Sequence, residues 1–315
     1  MKKRFWYSFI CVCFLFLCSF GDVNAKEEKE YIYGDYKYKY WEDGINLIEY
    51  MGLNEEVYVP ATIDGIPVRK LECTFFKNKK IEKVHLPDTI KEIYAFWGCE
   101  NLREVNIPKS IICIGGFQGC KKLKEITIPE GTRIIDDEAF YGCKSLEHVE
   151  IPDSVISMGY CAFAGCKNLK SIKLSNQLEA IDFSCFDGCK KLKSIVIPDS
   201  VISIDETVFY GCTFLKKIKL PKSLRYIGRN AFEGCNIREI TIPAKVTYID
   251  RCAFIHCKKL KKIVIKGKNI RTMKNSCFFD IHKKAVFDVP NSRISKYRKM
   301  LKEANGWEEH SIKVK

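Results

Sequence analysis

Cysteine is the abundant residue type in this chain whose side chain could react or bind a metal ion. The 315 residues include 17 cysteines, and neighbouring thiols can form disulfides or hold a metal ion. Eight of them recur every 21 to 23 residues, and Asn78 holds the same place one unit earlier. The eight are Cys99, Cys120, Cys143, Cys166, Cys189, Cys212, Cys235 and Cys257. This spacing indicates one structural position repeated along the chain.

Repeat geometry predicts that most of these thiols are reduced and buried. Stacked repeats lie about 4.8 Å apart, which is within the Cα range of a disulfide. Cysteines in one column point the same way, however, so their Cβ atoms keep that separation instead of approaching to about 3.8 Å. Other cysteines also occupy repeat columns: Cys73, Cys161 and Cys252 lie before a repeated phenylalanine, and Cys185 and Cys277 replace an alanine.

Neither a metal site nor a catalytic site is indicated. The stretch CAFIHC at Cys252–Cys257 resembles a metal site only superficially, because zinc needs four tetrahedral ligands and its cysteines are ordinary members of repeat columns. The five histidines lie in different columns: His85, His148, His256, His282 and His310. The chain contains no G-x-S-x-G, H-E-x-x-H or phosphate-loop motif. We expect no catalytic residue, no cofactor and no metal.

The elements that position these residues can be read from one unit, Cys189–Gly211, with the sequence CKKLKSIVIPDSVISIDETVFYG. Ile195 and Ile197 alternate with polar residues at a strand period, and Pro198 ends the strand because proline cannot donate to a ladder. Residues 201–204 form a second short extended piece, and the following phenylalanine and glycine return the chain. Each unit therefore predicts one coil with two short strands.

The same columns recur along most of the chain, and the phrase IPDSVIS occurs identically at Ile151–Ser157 and Ile197–Ser203. The isoleucine before proline recurs at Ile107, Ile128, Ile151, Ile197 and Ile242, with leucine at Leu86, Leu174 and Leu220. The turn phenylalanine recurs at Phe96, Phe117, Phe140, Phe163, Phe186, Phe209, Phe232 and Phe254. Each coil must bury its apolar edge on the next coil, so no coil is stable alone.

The composite L-x-x-I-x-I-P-x-S-V-x-x-I-x-x-x-A-F-x-G-C resembles the BspA-like leucine-rich repeats of bacterial secreted and surface proteins. The resemblance implies a mainly β fold: a leucine-rich-repeat solenoid of about nine to ten coils with an N-terminal hairpin cap and a C-terminal helix-containing cap. It also implies that the side chain in the cysteine column points inward and bonds the backbone of the turn. One unit, between Cys99 and Cys120, is only 21 residues long and departs from the pattern.

Four segments are expected. Residues 1–25 have a basic start, an apolar run and a small-residue cleavage site, which predict a signal peptide, with an uncleaved anchor helix as the alternative. Residues 26–67 form an N-terminal β cap with a turn at Asp43-Gly44, and residues 68–288 carry the repeats. Residues 289–315 form a C-terminal cap, with a helix from Arg293 to Ala304. The mature chain would be secreted or lie at the cell surface, without a further membrane span.

Two exposed columns are candidate binding surfaces. The residue after the first leucine of each coil is basic in seven coils of eight, namely Arg103, Lys124, Lys170, Lys193, Lys216, Arg238 and Lys261, with Glu147 as the exception. On the far side of the coil, the sequence gathers Asp136, Asp137, Asp182, Asp205 and Asp250. The outward strand face places Asn106, Thr127, Glu150, Lys173, Lys219 and Thr241 in one column with His85, Val196 and Val264, and this column lacks aromatic residues.

These surfaces predict a non-catalytic binding scaffold for an extracellular protein or an anionic glycan or wall polymer. After removal of residues 1–25 the chain has 50 basic and 38 acidic side chains, a net charge of +12, which favours anionic partners. The alternative is a structural envelope protein retained by charge on wall polymers. A solvated lysine-rich edge without a ligand is a third interpretation of the basic column. We expect a monomer that binds no nucleic acid, because aromatic residues do not alternate with the basic ones.

Overall fold

The computed structural model describes residues 29–72, 80–305 and 313–314. The expected signal peptide, Cys73 and Asn78 lie outside these residues. The described chain is a β-solenoid of about ten turns followed by one helix. This architecture confirms the fold class that the repeat predicted.

Six strands form the N-terminal part, and nineteen more belong to the coils and the C-terminal end. The first six are β1 (Tyr31–Tyr33), β2 (Tyr36–Trp41), β3 (Gly44–Tyr50), β4 (Glu56–Tyr58), β5 (Thr62–Ile63) and β6 (Ile66–Leu71). The others are β7 (Lys83–His85), β8 (Glu92–Tyr94), β9 (Glu104–Val105), β10 (Cys113–Gly115), β11 (Ile134–Ile135), β12 (His148–Glu150), β13 (Ser157–Met158), β14 (Ser171–Lys173), β15 (Ala180–Ile181), β16 (Ser194–Val196), β17 (Ser203–Ile204), β18 (Lys217–Lys219), β19 (Tyr226–Ile227), β20 (Glu239–Ile242), β21 (Tyr248–Ile249), β22 (Lys262–Ile265), β23 (Thr272–Met273), β24 (Val286–Asp288) and β25 (Lys313–Val314).

Most coils contribute one strand to each of two parallel ladders. The first ladder runs in pieces, β4-β7-β9, β12-β14, β16-β18 and β20-β22-β24-β25. The second runs through β3-β6-β8-β10-β11-β13 and then β15-β17-β19-β21-β23. Pairing follows the repeat, with Ile195 opposite Ile218 and Ile204 opposite Ile227. Residues that share a repeat column are therefore direct neighbours in space.

The short unit between Cys99 and Cys120 keeps the second ladder, because Glu92 pairs with Cys113 in regular parallel register. The first ladder is interrupted after β9, a two-residue strand within this unit, and the next coil contributes only a single parallel bridge from Glu125 to His148. The shorter unit therefore leaves the stacking of coils along the second ladder intact.

The core is a continuous stack of side chains along the solenoid axis. The eight phenylalanines from Phe96 to Phe254, with Phe278 in the next coil, are fully buried. Neighbouring rings lie 5.0 to 5.9 Å apart between centroids, and most are parallel. The isoleucine and leucine columns line the same core, although Ile107 is only half-buried. The predicted phenylalanine column is thus the central column of the fold.

Both ends of the described solenoid are covered. Strands β1 to β3 form an antiparallel sheet whose last strand joins β6, and the Tyr36 hydroxyl donates to the Tyr58 carbonyl at 3.0 Å. The β2–β3 turn falls at residues 42–43, one residue before the predicted position, because Trp41 pairs with Gly44. At the other end, a 3-10 turn at Asn291–Arg293 leads into helix α1 (Ile294–Asn305), one residue later than predicted.

Helix α1 closes the last coil through side chains and backbone. Tyr297, Leu301 and Ala304 are buried, and the Tyr297 hydroxyl donates to the Gly267 carbonyl at 2.7 Å. The Asn305 side chain accepts from the Phe278 N–H at 2.8 Å. Two backbone donors of the final coil, the N–H groups of Ser276 and Phe278, are therefore bonded to the helix, which covers the coil at that point.

We expect Phe163→Ala to destabilise the protein by about 3–5 kcal/mol, since truncating a buried phenylalanine loses transfer energy and leaves a cavity. Phe163 touches rings in both neighbouring coils. Chemical denaturation monitored by circular dichroism would measure the change, with Tyr141→Ala at an exposed position as the control. An unchanged unfolding midpoint for Phe163→Ala would show that the column is not a packing element.

Candidate functional site

The cysteine column is a hydrogen-bonded structural element. Seven members, from Cys120 to Cys257, donate from Sγ to the phenylalanine carbonyl of the preceding coil at 3.0 to 3.3 Å. Burial raises the pKa of the Cys257 thiol to about 12 and that of the Cys99 thiol to about 12. Because the thiolate is the reactive form, these cysteines are poor nucleophiles. The column points inward and bonds the turn backbone, as the resemblance implied.

None of the thirteen described cysteines forms a disulfide. Eleven of them are buried, whereas Cys161 and Cys252 are half-buried. Both half-buried cysteines adopt a left-handed backbone conformation, with φ of 54° and 58°. They occupy the same position of the turn in two different coils, outside the core column.

Thiol titration of the native, mature protein should therefore give little reaction, and most thiols should react only after unfolding. The physical reason is that a buried thiol with a raised pKa is both inaccessible and protonated. Reaction with a chromogenic disulfide in buffer and in denaturant measures the two counts. Recovery of several native disulfides by mass spectrometry would contradict the expectation.

The outward face of the first ladder brings the strand-face residues into one column. Glu150 pairs with Lys173, and Val196 pairs with Lys219. Three of these side chains are engaged within the chain. Lys173 forms an ion pair with Glu150, and the Asn106 amide bonds both the N–H and the carbonyl of Leu86 at 2.8 Å. Thr127 and Lys219 are exposed and Thr241 is half-buried.

An aromatic pair, Tyr58 and His85, lies at the start of this column, and the sequence pattern had placed only His85 in it. Tyr58 lies opposite His85, and their rings stack at 4.2 Å with an interplanar angle of 5°. Tyr58 is 67% exposed. The Glu56 carboxylate accepts from the Tyr58 hydroxyl at 3.2 Å and lies 2.6 Å from His85 Nε2. The expectation of a column without aromatic residues was wrong. The sequence signal for Tyr58 is that residues 57–60 (VYVP) follow the same strand pattern as residues 84–87 (VHLP).

The basic column is also continuous in space. Backbone N–H groups of Glu147, Lys170, Lys193 and Lys216 each donate to the carbonyl of the column member in the preceding coil. Lys261 N–H likewise donates to the Arg238 carbonyl at 2.9 Å. All seven basic side chains are exposed except Lys170, which is half-buried. Stacking therefore aligns them along one edge of the solenoid.

Charge compensation divides this column into two parts. In the N-terminal part, Arg103 lies 3.5 Å from Glu82 and Lys170 lies 2.5 Å from Glu147. Lys124 helps to hold the pKa of the Glu147 carboxyl low, after the larger effect of Lys170. In the C-terminal part, no described carboxylate lies within ion-pair distance of Lys193, Lys216, Arg238 or Lys261. The positive charge is therefore concentrated toward the C-terminal coils.

Carboxylates gather along the second ladder. Asp136, Asp182, Asp205 and Asp250 directly follow its strands, and the Asp137 carboxylate lies over Gly159, where a Cβ would contact its Oδ1. Burial, followed by the charges of Asp205 and Asp137, raises the pKa of Asp182 to about 6. The register that stacks the core thus forces like charges into adjacent coils.

We expect Asp182→Asn to raise the unfolding temperature at pH 7.5 by a few degrees. The folded pKa is above the ordinary value, so ionisation costs stability as pH rises through about 6. At pH 4 the carboxyl is protonated in the folded state, and the advantage of the variant should disappear. Thermal unfolding at both pH values tests this, with Asp88→Asn at an exposed position as the control. A stabilisation that is equal at pH 4 and 7.5 would contradict the electrostatic explanation.

The described residues give no support to a catalytic or metal centre. Among them, no group of three or more His, Cys, Asp or Glu side chains could hold a metal ion. An open depression between α1 and β23 is lined by residues that include Arg271, Met300 and Glu303 but neither histidine nor cysteine. No helix in the described part of the chain combines the length and apolar character that spanning a membrane requires.

Two parallel ladders, an inward cysteine column and a phenylalanine stack define a leucine-rich-repeat solenoid. The chain belongs to the BspA type leucine-rich repeat family, because the BspA type Leucine rich repeat region matches residues 69–190 and 179–300 with six copies. A search of curated protein sequences finds no match.

A solved structure shares the fold. A leucine-rich repeat protein from Bacteroides ovatus ATCC 8483 is similar with a TM-score of 0.70 and 26% identity, covering 82% of this chain and 70% of that one. A leucine rich cell surface protein from Faecalibacterium prausnitzii A2-165 has a TM-score of 0.42 and 23% identity, covering 87% and 98% of the two chains. The T. pallidum leucine-rich repeat protein has a TM-score of 0.42 and 23% identity, covering 86% of this chain and 96% of that one.

Proposed function

We propose that this protein is a secreted or cell-surface, non-catalytic scaffold that binds an extracellular protein or glycan and acts in adhesion. One observation carries the proposal: the inward columns repeat from coil to coil, whereas the outward face of the first ladder changes between neighbouring coils and is exposed or half-buried. Core packing does not require this variation. A solenoid that varies only its outer face can recognise an extended partner.

The aromatic pair at the start of the column supports the proposal further. Aromatic side chains supply much of the binding energy at protein interfaces, and Tyr58 is held in place by its stack on His85 and by Glu56. Val196 adds an exposed apolar side chain, 67% exposed, in the middle of the face. We propose that the partner contacts Tyr58, Val196 and Lys219 and that the scaffold acts as a monomer.

The proposal is tested with the mature protein immobilised on resin and incubated with soluble extracellular proteins and glycans. A component retained by the wild type should be released by the triple change Tyr58→Ala, Val196→Ala, Lys219→Ala, with a loss of affinity of about tenfold or more. The matched control changes three exposed residues on other faces: Ile156→Ala, Tyr160→Ala and Ile202→Ala. Equal retention by both variants would count against the strand face.

A second candidate function is a structural envelope role in which charge retains the protein on anionic wall polymers. The observation that favours it is the exposed basic column. Exposed charges are screened over about 8 Å at physiological salt, so retention of this kind should weaken as salt rises. A salt gradient applied to cells carrying the mature protein measures it, beside a variant with Lys124, Lys170, Lys193, Lys216 and Lys261 changed to Glu. Equal elution of both proteins would exclude retention by the column.

A further inference from the structure

The C-terminal end of the basic column extends into a wider patch. Lys261 N–H bonds the Arg238 carbonyl, and Val286 N–H bonds the Lys261 carbonyl at 2.9 Å, so three successive coils are in register here. The turn that enters the last of these coils carries Lys283 and Lys284, and the turn before it carries Lys259. Together, Lys216, Arg238, Lys259, Lys261, Lys283 and Lys284 form what we call the C-terminal basic segment, and all six are exposed.

This segment differs from Arg103 and Lys170 of the same column in charge compensation. Farther toward the N-terminus, Arg103, Lys121 and Lys170 each lie within 3.5 Å of a glutamate in the preceding coil. Around the segment, ion pairs join Lys258 to Asp280 at 3.5 Å and Lys262 to Glu239 at 2.9 Å. No described carboxylate lies within ion-pair distance of the six members themselves. Their charge is therefore available to a ligand.

His282 lies within this cationic surface, and partial burial and the surrounding positive charges lower its pKa. Its Nδ1 accepts the N–H of Lys284 at 3.1 Å, and its carbonyl accepts the N–H of Ala285 at 2.8 Å. These bonds fix the turn that presents the two lysines. Partial burial lowers the pKa of His282, and the charges of Lys261, Lys284, Lys259 and Lys283 lower it further. Four lysines from two coils thus act on one imidazole.

We propose that the C-terminal basic segment binds a linear polyanion whose closely spaced phosphodiester or sulfate-ester groups run along the solenoid axis across successive coils. This inference rests on the charge-retention function above and assigns it a site and a ligand chemistry. Cations in adjacent coils are separated by about one strand spacing, 4.8 Å, which suits a chain with frequent charges. Lysine contributes a point charge without the bidentate geometry of arginine, so binding depends on charge density and falls steeply with salt.

The test is a titration of the mature protein with three soluble probes: a glycerol phosphate oligomer, a heparin oligosaccharide and hyaluronate. The first two should bind, and their relative affinities distinguish a phosphodiester source from a sulfated one. Hyaluronate has one carboxylate in each disaccharide, too sparse to meet cations in adjacent coils, and should bind at least about tenfold more weakly. Equal binding of hyaluronate would overturn the ligand assignment.

Matched variants locate the site. The triple change Lys259→Glu, Lys261→Glu, Lys283→Glu should weaken binding of the better probe by about 30-fold or more at low salt and reduce the salt dependence. The control triple Lys109→Glu, Arg133→Glu, Lys144→Glu makes the same change in net charge at exposed positions toward the N-terminus, outside the basic column, and should cost less than about threefold. Equal losses in both variants would overturn the assignment. If the five-lysine column variant releases the protein from cells but the C-terminal triple does not, charge retention stands and this inference fails.

His282 supplies a readout that a loss of folding would not imitate. A bound polyanion places negative charge beside the lysines that lower the His282 pKa, so this pKa should rise when the probe binds. NMR titration of the imidazole C–H resonances, with and without the glycerol phosphate oligomer or the heparin oligosaccharide, measures the change. Binding with no shift in the His282 pKa would mean that the ligand lies elsewhere.

Discussion

The stacking of each coil on the next in exact repeat register is the constraint on which the rest of the structure depends. A single coil has two strands of two to four residues and cannot bury its own apolar edge. Parallel pairing in both ladders joins neighbouring coils through the backbone, and the phenylalanine rings continue the contact through the core. Stability is then the sum of contacts between neighbours. The caps at both ends follow from the same requirement, since an open coil would expose this edge.

The cysteine column shows how one register serves several purposes. Each thiol is small enough to fit between turns and still donates to a carbonyl of the preceding coil. The same phenylalanine carbonyls also accept a backbone N–H within their own coil, as Phe140 does from Cys143, so the thiol adds a second hydrogen bond at a buried carbonyl. Reactivity is lost in the same step, because burial favours the protonated thiol.

The same register has an electrostatic cost. Identical columns place like charges about one strand spacing apart, as between Asp182 and Asp205, where burial and repulsion raise a carboxyl pKa to about 6. In the N-terminal coils, glutamates at Glu82 and Glu147 offset the basic column. In the C-terminal coils the members of the basic column lack such partners among the described residues. Uneven compensation therefore concentrates the positive field at one end of the molecule, which is why we assign the ligand site there.

Local sequence was sufficient to predict the coil, its two strands, the inward columns and helix α1 within one residue. These features depend on periodicity, proline and the size of side chains, all of which are visible in a single repeat. The sequence also predicted that the basic and strand-face residues would align, since equal spacing becomes adjacency once coils stack.

Tertiary structure alone decided what the aligned side chains do. Asn106 bonds the backbone of Leu86, and Lys173 forms an ion pair with Glu150. In both cases the partner belongs to the preceding coil. Tyr58 joins the strand face because β4 pairs with β7, which makes part of the expected cap the first step of the ladder. Lys261 is free of carboxylates whereas Lys170 is not, because each depends on the residue that the preceding coil places beside it. Repetition determines where a side chain lies, but its partners come from differences between coils, which only the folded chain brings into contact.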